Sequence, residues 1–164
     1  MKKEITDPHL QEEFGRLIEQ HKETIYTACY IFADDKETAE DLFQDALLNL
    51  WRGYADFQGR SSAGTWIWRV SLNTCITYDR KRKRAPVILP LDPGINLYEN
   101  TDDESRQINL LHKRIHRLGM LDRAIVLLWL EDLSYEEIGE ITGISPKNVS
   151  VRLVRIREKL KNMK

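Results

Sequence analysis

The sequence predicts an all-α protein: two small helical domains joined by a flexible linker, the C-terminal one ending in a helix-turn-helix. Three observations carry that reading. Apolar residues recur at three- and four-residue steps almost throughout, and no alternating strand pattern of useful length appears. Residues 85–105, "APVILPLDPGINLYENTDDES", break that rhythm with three of the five prolines and five acids but no Lys or Arg. A loop of that length is uncommon inside one compact domain, so it divides the chain into 1–84, the linker 85–105, and 106–164. Finally, "LSYEEIGEITGISPKNVSVRLVRIREKL" holds two short helical patterns hinged on a glycine.

Within the first unit, Leu10, Phe14, Leu17, Ile18, Ile25, Tyr26 and Cys29 fall on helical spacing. The second helix has the wider stripe: Ala39, Leu42, Phe43, Ala46, Leu47, Leu50, Trp51 and Tyr54, preceded by the acids Asp34, Asp35 and Glu37. "QGRSSAG" at 58–64 is a loop by composition, and a third helix runs from about Thr65 into the basic cluster at 80–84. Past the linker, helical patterns cover Ile108 to Leu118, Arg123 to Leu130, Ser134 to Ile141 and Pro146 to about Lys161.

With 41% hydrophobic and 31% charged residues, the chain has the makings of a folded core and is not a disordered polymer. Its formal charge of −1 hides a strong asymmetry. Residues 80–84 read "RKRKR", and residues 145–164 carry seven Lys/Arg against one Glu, whereas 122–144 hold six acids against Arg123. Two concentrated basic surfaces are compatible with a phosphate-bearing partner.

Cys29 and Cys75 are far apart in apolar helical stretches and read as buried reduced thiols. The N-terminus has no apolar core for a signal peptide, and no run of 18 apolar residues occurs, so a cytoplasmic protein without membrane insertion is expected. No phosphate-binding glycine loop or nucleophile elbow is present, and neither enzymatic activity nor a cofactor is expected. His112 and His116 share an i, i+4 spacing but lack a nearby third ligand, so they read as surface residues of a helix and not as a metal site.

The C-terminal corner is written in capping chemistry. Ser134 with Glu137 forms a capping box, Gly143 can take the positive φ that ends a helix, and Ser145–Pro146 starts the next one. Val149, Leu153, Ile156 and Leu160 give the last helix a buried stripe. Away from it lie Lys147, Asn148, Ser150, Val151, Arg152 and Arg155. A polar and basic N-terminal end on the second helix of such a pair suits the DNA major groove. There Asn148 can pair with adenine and Arg152 or Arg155 with guanine, while Ser145 and Ser150 suit phosphate. In the first unit, Trp66 and Trp68 stand beside a helix ending in five bases. Aromatic rings next to a cationic track suit single-stranded DNA, although tryptophans on a helix more often belong to a core.

Taken together, "AEDLFQDALLNLW", "FQGRSSAGTWIWRVSLNTCITYDRKRKR" and the C-terminal corner resemble the extracytoplasmic-function sigma factors of bacterial RNA polymerase. The resemblance covers nearly everything from Leu10 to Lys161. It implies a promoter-specificity subunit whose partners are core polymerase and promoter DNA, both duplex and single-stranded, with an anti-sigma factor as a further partner. On the first block, Asp41, Gln44 and Asp45 fall at the family's polar positions for docking on the clamp helices of the largest polymerase subunit, with Leu48 and Asn49 beside them. On the second, Phe57, Gly59, Arg60, Ser61 and Ser62 resemble the loop that holds a flipped-out base of the minus-ten element. Trp66 and Asn73 lie near that pocket, and Arg80, Lys81, Arg82, Lys83 and Arg84 form its basic end. The third block resembles the reader of the minus-thirty-five element.

Three positions depart from the family pattern: Thr77 replaces a usual acid, Leu118-Gly119 a usual Leu-Pro, and Gly139 a commoner alanine. Fully extended, 21 linker residues reach roughly 70 Å, but a flexible coil averages only about 25 Å. A compact free protein with partly covered DNA surfaces is therefore expected. The competing reading is a conventional helix-turn-helix regulator that binds an operator without polymerase.

Overall fold

A computed structural model describes residues 7–57, 59, 61–84 and 103–163, apart from the side chains of 83, 84, 103–105, 108 and 109. Linker residues 85–102 and Arg60 lie outside the described residues, as do the side chains of Lys83 and Arg84. Seven helices occur among the described residues, in the order α1 (Pro8–Phe32), α2 (Lys36–Tyr54), α3 (Ala63–Arg84), α4 (Asp103–His116), α5 (Met120–Leu130), α6 (Tyr135–Thr142) and α7 (Pro146–Asn162).

The first three pack on one another as a bundle. Asp7 caps α1 by accepting from the His9 amide, and Asp35 caps α2 by accepting from the Thr38 amide at 2.6 Å. The α2 stripe does what its spacing requires: Ala39, Leu42, Ala46 and Leu50 are buried, Phe43 and Leu47 pack against the core, and Trp51 and Tyr54 meet the Phe14 ring of α1. Burying a leucine such as Leu42 or Leu50 stabilises the bundle by about 1.5–3 kcal/mol. Trp68 is buried, so this one of the two tryptophans is core. Cys29 and Cys75 are both free, fully buried and in contact between α1 and α3. The hydrogen bond that the Cys75 thiol donates to Cys29, reinforced by burial, pushes its pKa far above the usual range, which leaves it protonated and unreactive.

In the second unit α4 starts at Asp103, five residues before the periodicity beginning at Ile108 predicted. The last acids of "TDDES" form its first turn, where negative charge favours the helix dipole. Likewise α5 starts at Met120, with Gly119 as its N-cap, so the Leu118-Gly119 departure still opens a helix.

The two units are closed on one another. α3 lies against α6, where Arg69 donates to the Glu140 carbonyl at 2.9 Å, and α1 meets α4 and α5. At that seam Tyr30 meets His112 edge-on, while the buried Arg123 guanidinium lies 5.4 Å from the centre of the Phe32 ring. Arg123 donates to the carbonyls of His116 at 2.5 Å and Leu118 at 3.2 Å. His112 and His116 are thus half-buried in the seam and not on a helix surface as expected. Helical spacing places them on one face of α4, but only the tertiary fold shows that α1 covers it.

Burial lowers the His112 pKa and, together with the Arg123 charge, lowers that of His116 from an ordinary 6.5 to about 4; Asp34 opposes, while His112 and Arg82 add to the effect. A ring kept neutral down to about pH 4 takes up a proton on unfolding between that value and its ordinary 6.5. Its contribution to stability is complete above that value and is lost as pH falls towards 4. Allowing for solvent reaching the ring, the unfolding free energy should drop by on the order of 1 kcal/mol between pH 7 and pH 5. Urea titrations at the two pH values measure it. His116→Leu should flatten the dependence, and an unchanged slope would place the titration elsewhere.

Candidate nucleic-acid and polymerase interfaces

The corner between α6 and α7 forms as its sequence requires. Ser134 accepts from the Glu137 amide at 3.1 Å while the Glu137 carboxylate accepts from the Ser134 amide at 2.8 Å, closing the capping box. Gly143 has φ +81°, the left-handed conformation that favours glycine, and Ser145 caps α7 through the Asn148 amide at 3.2 Å. At Gly139 an added Cβ would lie 2.6 Å from the Ile144 carbonyl oxygen. Even an alanine there would force this corner to shift.

Val149, Leu153 and Ile156 are buried, which fixes how α7 is rotated. Its cations then divide. Arg152 bonds Asp122 of α5 at 3.0 Å, Lys159 approaches the same carboxylate at 3.8 Å, and Arg157 lies over the Trp129 ring at 5.4 Å. These three tether α7 to α5. Lys147, Asn148, Val151 and Arg155 are exposed and Ser150 is half-exposed. Of the two guanine-reading candidates, Arg155 is on the outward face and Arg152 is on the tethered flank. The outward face is not covered by the first unit, so the expected covering of DNA surfaces does not extend to it. Ser145 spends its hydroxyl on the cap.

In the first unit, Phe57 stacks on Trp66 with ring centres 4.7 Å apart and planes at 22°, and Tyr54 approaches the same indole at 6.2 Å. Gly59 takes φ +68°, a left-handed conformation that favours glycine. Ser62 accepts from the Thr65 amide at 3.1 Å and so caps the start of α3, while Ser61 donates to the Ser62 carbonyl. The two serines predicted to face a base thus also shape the loop. Beside the Phe57–Trp66 stack opens a cleft of about 490 Å³ lined by Tyr54 and Phe57 together with Glu13, Arg16 and Gln20 of α1. Nothing in the sequence pattern singled out those α1 residues, because their approach to the loop is made only by the bundle.

A second cleft, of about 540 Å³, lies between α2 and α3. Asp45, Leu48 and Asn49 line one wall, and Asn73, Thr77 and Lys81 the other. The predicted docking residues and the predicted downstream-DNA residues therefore share one groove. Asp41, Gln44, Asp45, Leu48 and Asn49 are exposed, and Asn49 also donates to Thr74 of α3 at 3.0 Å. Within the basic run, Arg80 and Lys81 are exposed, but Arg82 pairs with Asp34 and lies 3.7 Å from Asp79, joining α3 to the α1–α2 turn. Among the described residues no three His, Cys, Asp or Glu side chains gather closely enough to hold a metal ion, and no helix is long and apolar enough to cross a membrane.

This architecture defines a helix-turn-helix protein with a second helical unit that presents an aromatic loop beside a basic helix. Residues 17–85 match Sigma-70 region 2, and residues 108–160 match Sigma-70, region 4. The chain is 32% identical to RNA polymerase sigma factor YlaC of Bacillus subtilis over 76% of each protein. Against the ECF RNA polymerase sigma factor SigG of Mycobacterium tuberculosis it is 28% identical over 93% of its own length, and it spans about half (49%) of that longer relative. A solved sigma factor, RpoE in complex with the anti-sigma factor NepR from Bartonella quintana, shares the fold with a TM-score of 0.71. That likeness covers 92% of this chain and 95% of RpoE at 20% identity. The chain belongs to the sigma-70 family, in its extracytoplasmic-function group.

Proposed function

We propose that this protein is a promoter-specificity subunit acting in the cytoplasm, with no chemistry of its own. In this reading residues 1–84 bind core polymerase and the opened minus-ten element, residues 85–105 connect, and residues 106–164 bind the duplex minus-thirty-five element. The observation that carries it is the uncovered outward face of α7, with Lys147, Asn148 and Arg155 exposed, on a chain that matches both sigma-70 regions. α2 docks on the polymerase clamp helices through Asp41, Gln44, Asp45 and Leu48. The Phe57–Trp66 stack and the α2–α3 groove, with Asn73, Arg80 and Lys81, favour the separated strand, because bases stack on rings while cations follow the backbone. Arg82 becomes available to DNA only when its pairing with Asp34 is released. Since RpoE was solved with an anti-sigma factor, a protein of that class is a proposed partner here too.

In vitro transcription with core polymerase over a promoter library tests this reading. The expected result is product only from promoters carrying two elements, and only when this protein is present. Arg155→Ala should lower use of the upstream element at least roughly ten-fold while leaving affinity for core polymerase unchanged. Arg152→Ala should act less on base choice and more on the seating of α7, since its guanidinium is bonded to Asp122. Equal loss of core binding in Arg155→Ala would show that α7 is not the DNA reader.

A further inference from the structure

The outward face of α7 carries two valines that packing does not explain. Val151 is 42% and Val154 59% exposed, the latter more than any other large apolar side chain among the described residues. Three positions apart on a helix, their side chains are neighbours with about 5–6 Å between Cβ atoms, so they form one patch. β-Branched residues are also poorer helix formers than alanine, and stability alone would not place two of them on an exposed face.

The surroundings of the patch restrict what covers it. Lys147 stands one turn before Val151, Arg155 follows Val154, and both are exposed. The other α7 cations near the flanks, Arg152, Arg157 and Lys159, are held by Asp122 and Trp129. What fits is therefore a surface with apolar spots of methyl size and negative charge on either side. In the major groove, the C5-methyl of thymine is the apolar group on a base-pair edge, and phosphates run along both rims. The two valines are about 4.5 Å apart along the helix axis, against a base-pair rise of about 3.4 Å, so the pair spans between one and two base-pair steps.

We propose that Val151 and Val154 read thymine C5-methyl groups at neighbouring positions of the upstream duplex. Lys147 and Arg155 hold the flanking phosphate or guanine and fix the register. The inference rests on the promoter reading above and adds which bases are selected and by what group.

The test uses the full-length protein with core polymerase and a promoter selected from a randomised library. Each thymine of the upstream element is replaced in turn by deoxyuridine, which removes the methyl group and leaves the hydrogen-bonding edge intact. At two neighbouring thymines, promoter occupancy should fall roughly three- to ten-fold. Val151→Ala should abolish the sensitivity at one of them and Val154→Ala at the other. Both substitutions place a better helix former on an exposed face, so folding is not at stake. Neutral deoxyuridine at every thymine, or equal sensitivity in the valine variants, overturns the assignment even where the upstream element is still used. Valine variants that lose affinity for core polymerase while keeping the deoxyuridine response would assign the patch to a protein and overturn it too. A library that returns no upstream element would instead bring down the promoter reading itself.

Discussion

Replacing Arg123 by alanine should lower the stability of the closed protein by about 3 kcal/mol. Its guanidinium serves three neighbours at once: the His116 and Leu118 carbonyls at the end of α4, and the Phe32 ring of α1. Truncation strands two carbonyls in a buried seam and opens a void where the side chain lay. Relief of the guanidinium's own desolvation offsets only part of this. In urea the unfolding midpoint should fall with little change in slope. Arg123→Lys should recover part of the loss, because an ammonium can reach carbonyl oxygens but cannot lay a plane against Phe32. A midpoint unchanged in Arg123→Ala would mean that the seam adds nothing to stability, and that contact between the two units is incidental to the fold.

Arg123 also marks the limit of what the sequence makes legible. The α6–α7 corner could be read residue by residue, because every device in it is local: a capping box four residues long, a glycine at positive φ, a serine followed by proline. The α2 stripe was legible for the same reason, since one helix's periodicity reports its own buried face. Contacts between helices are different. Arg123 with Phe32, Tyr30 with His112, Arg82 with Asp34 and Arg69 with Glu140 pair residues tens of positions apart, across helices whose packing no periodicity encodes. Hence two histidines read as surface residues turn out to be half-buried, and a basic run read as a uniform track contains one arginine paired with an acid.

The same division runs through the candidate sites. Residue types and order carried the resemblance and named the outward positions on α2, α3 and α7. What the sequence could not do was rank them. Rotation of α7 about its buried stripe separates Arg155 from Arg152, and the capping bond separates the structural duty of Ser62 from that of an unengaged hydroxyl. The α2–α3 groove adds a consequence for mechanism. Because Leu48 and Asn73 face one cleft, a polymerase surface docked on α2 as proposed would lie next to a strand bound along α3. Docking and strand capture would then stabilise one another without any change in fold, each helping to desolvate the shared groove.

Within that groove, Leu48 should matter most for docking. It is 51% exposed on α2, between Asp45 and Asn49, so its apolar surface is left uncovered while its own bundle is already filled by Leu42, Ala46 and Leu50. An apolar residue set among acids on an exposed face has the anatomy of an interface anchor with a polar rim. Leu48→Asp should weaken binding of core polymerase about 100-fold or more, equivalent to roughly 2.7 kcal/mol, since it buries a new charge where a leucine had fitted. Leu48→Ala, which removes the contact alone, should cost about ten-fold. Neither change should move thermal stability by more than about 0.5 kcal/mol, because the side chain takes no part in the core. Competition for core polymerase against the unsubstituted protein measures both. Affinity retained in Leu48→Asp would place the docking surface elsewhere on the first unit, and a matching loss of stability would make Leu48 a packing residue instead.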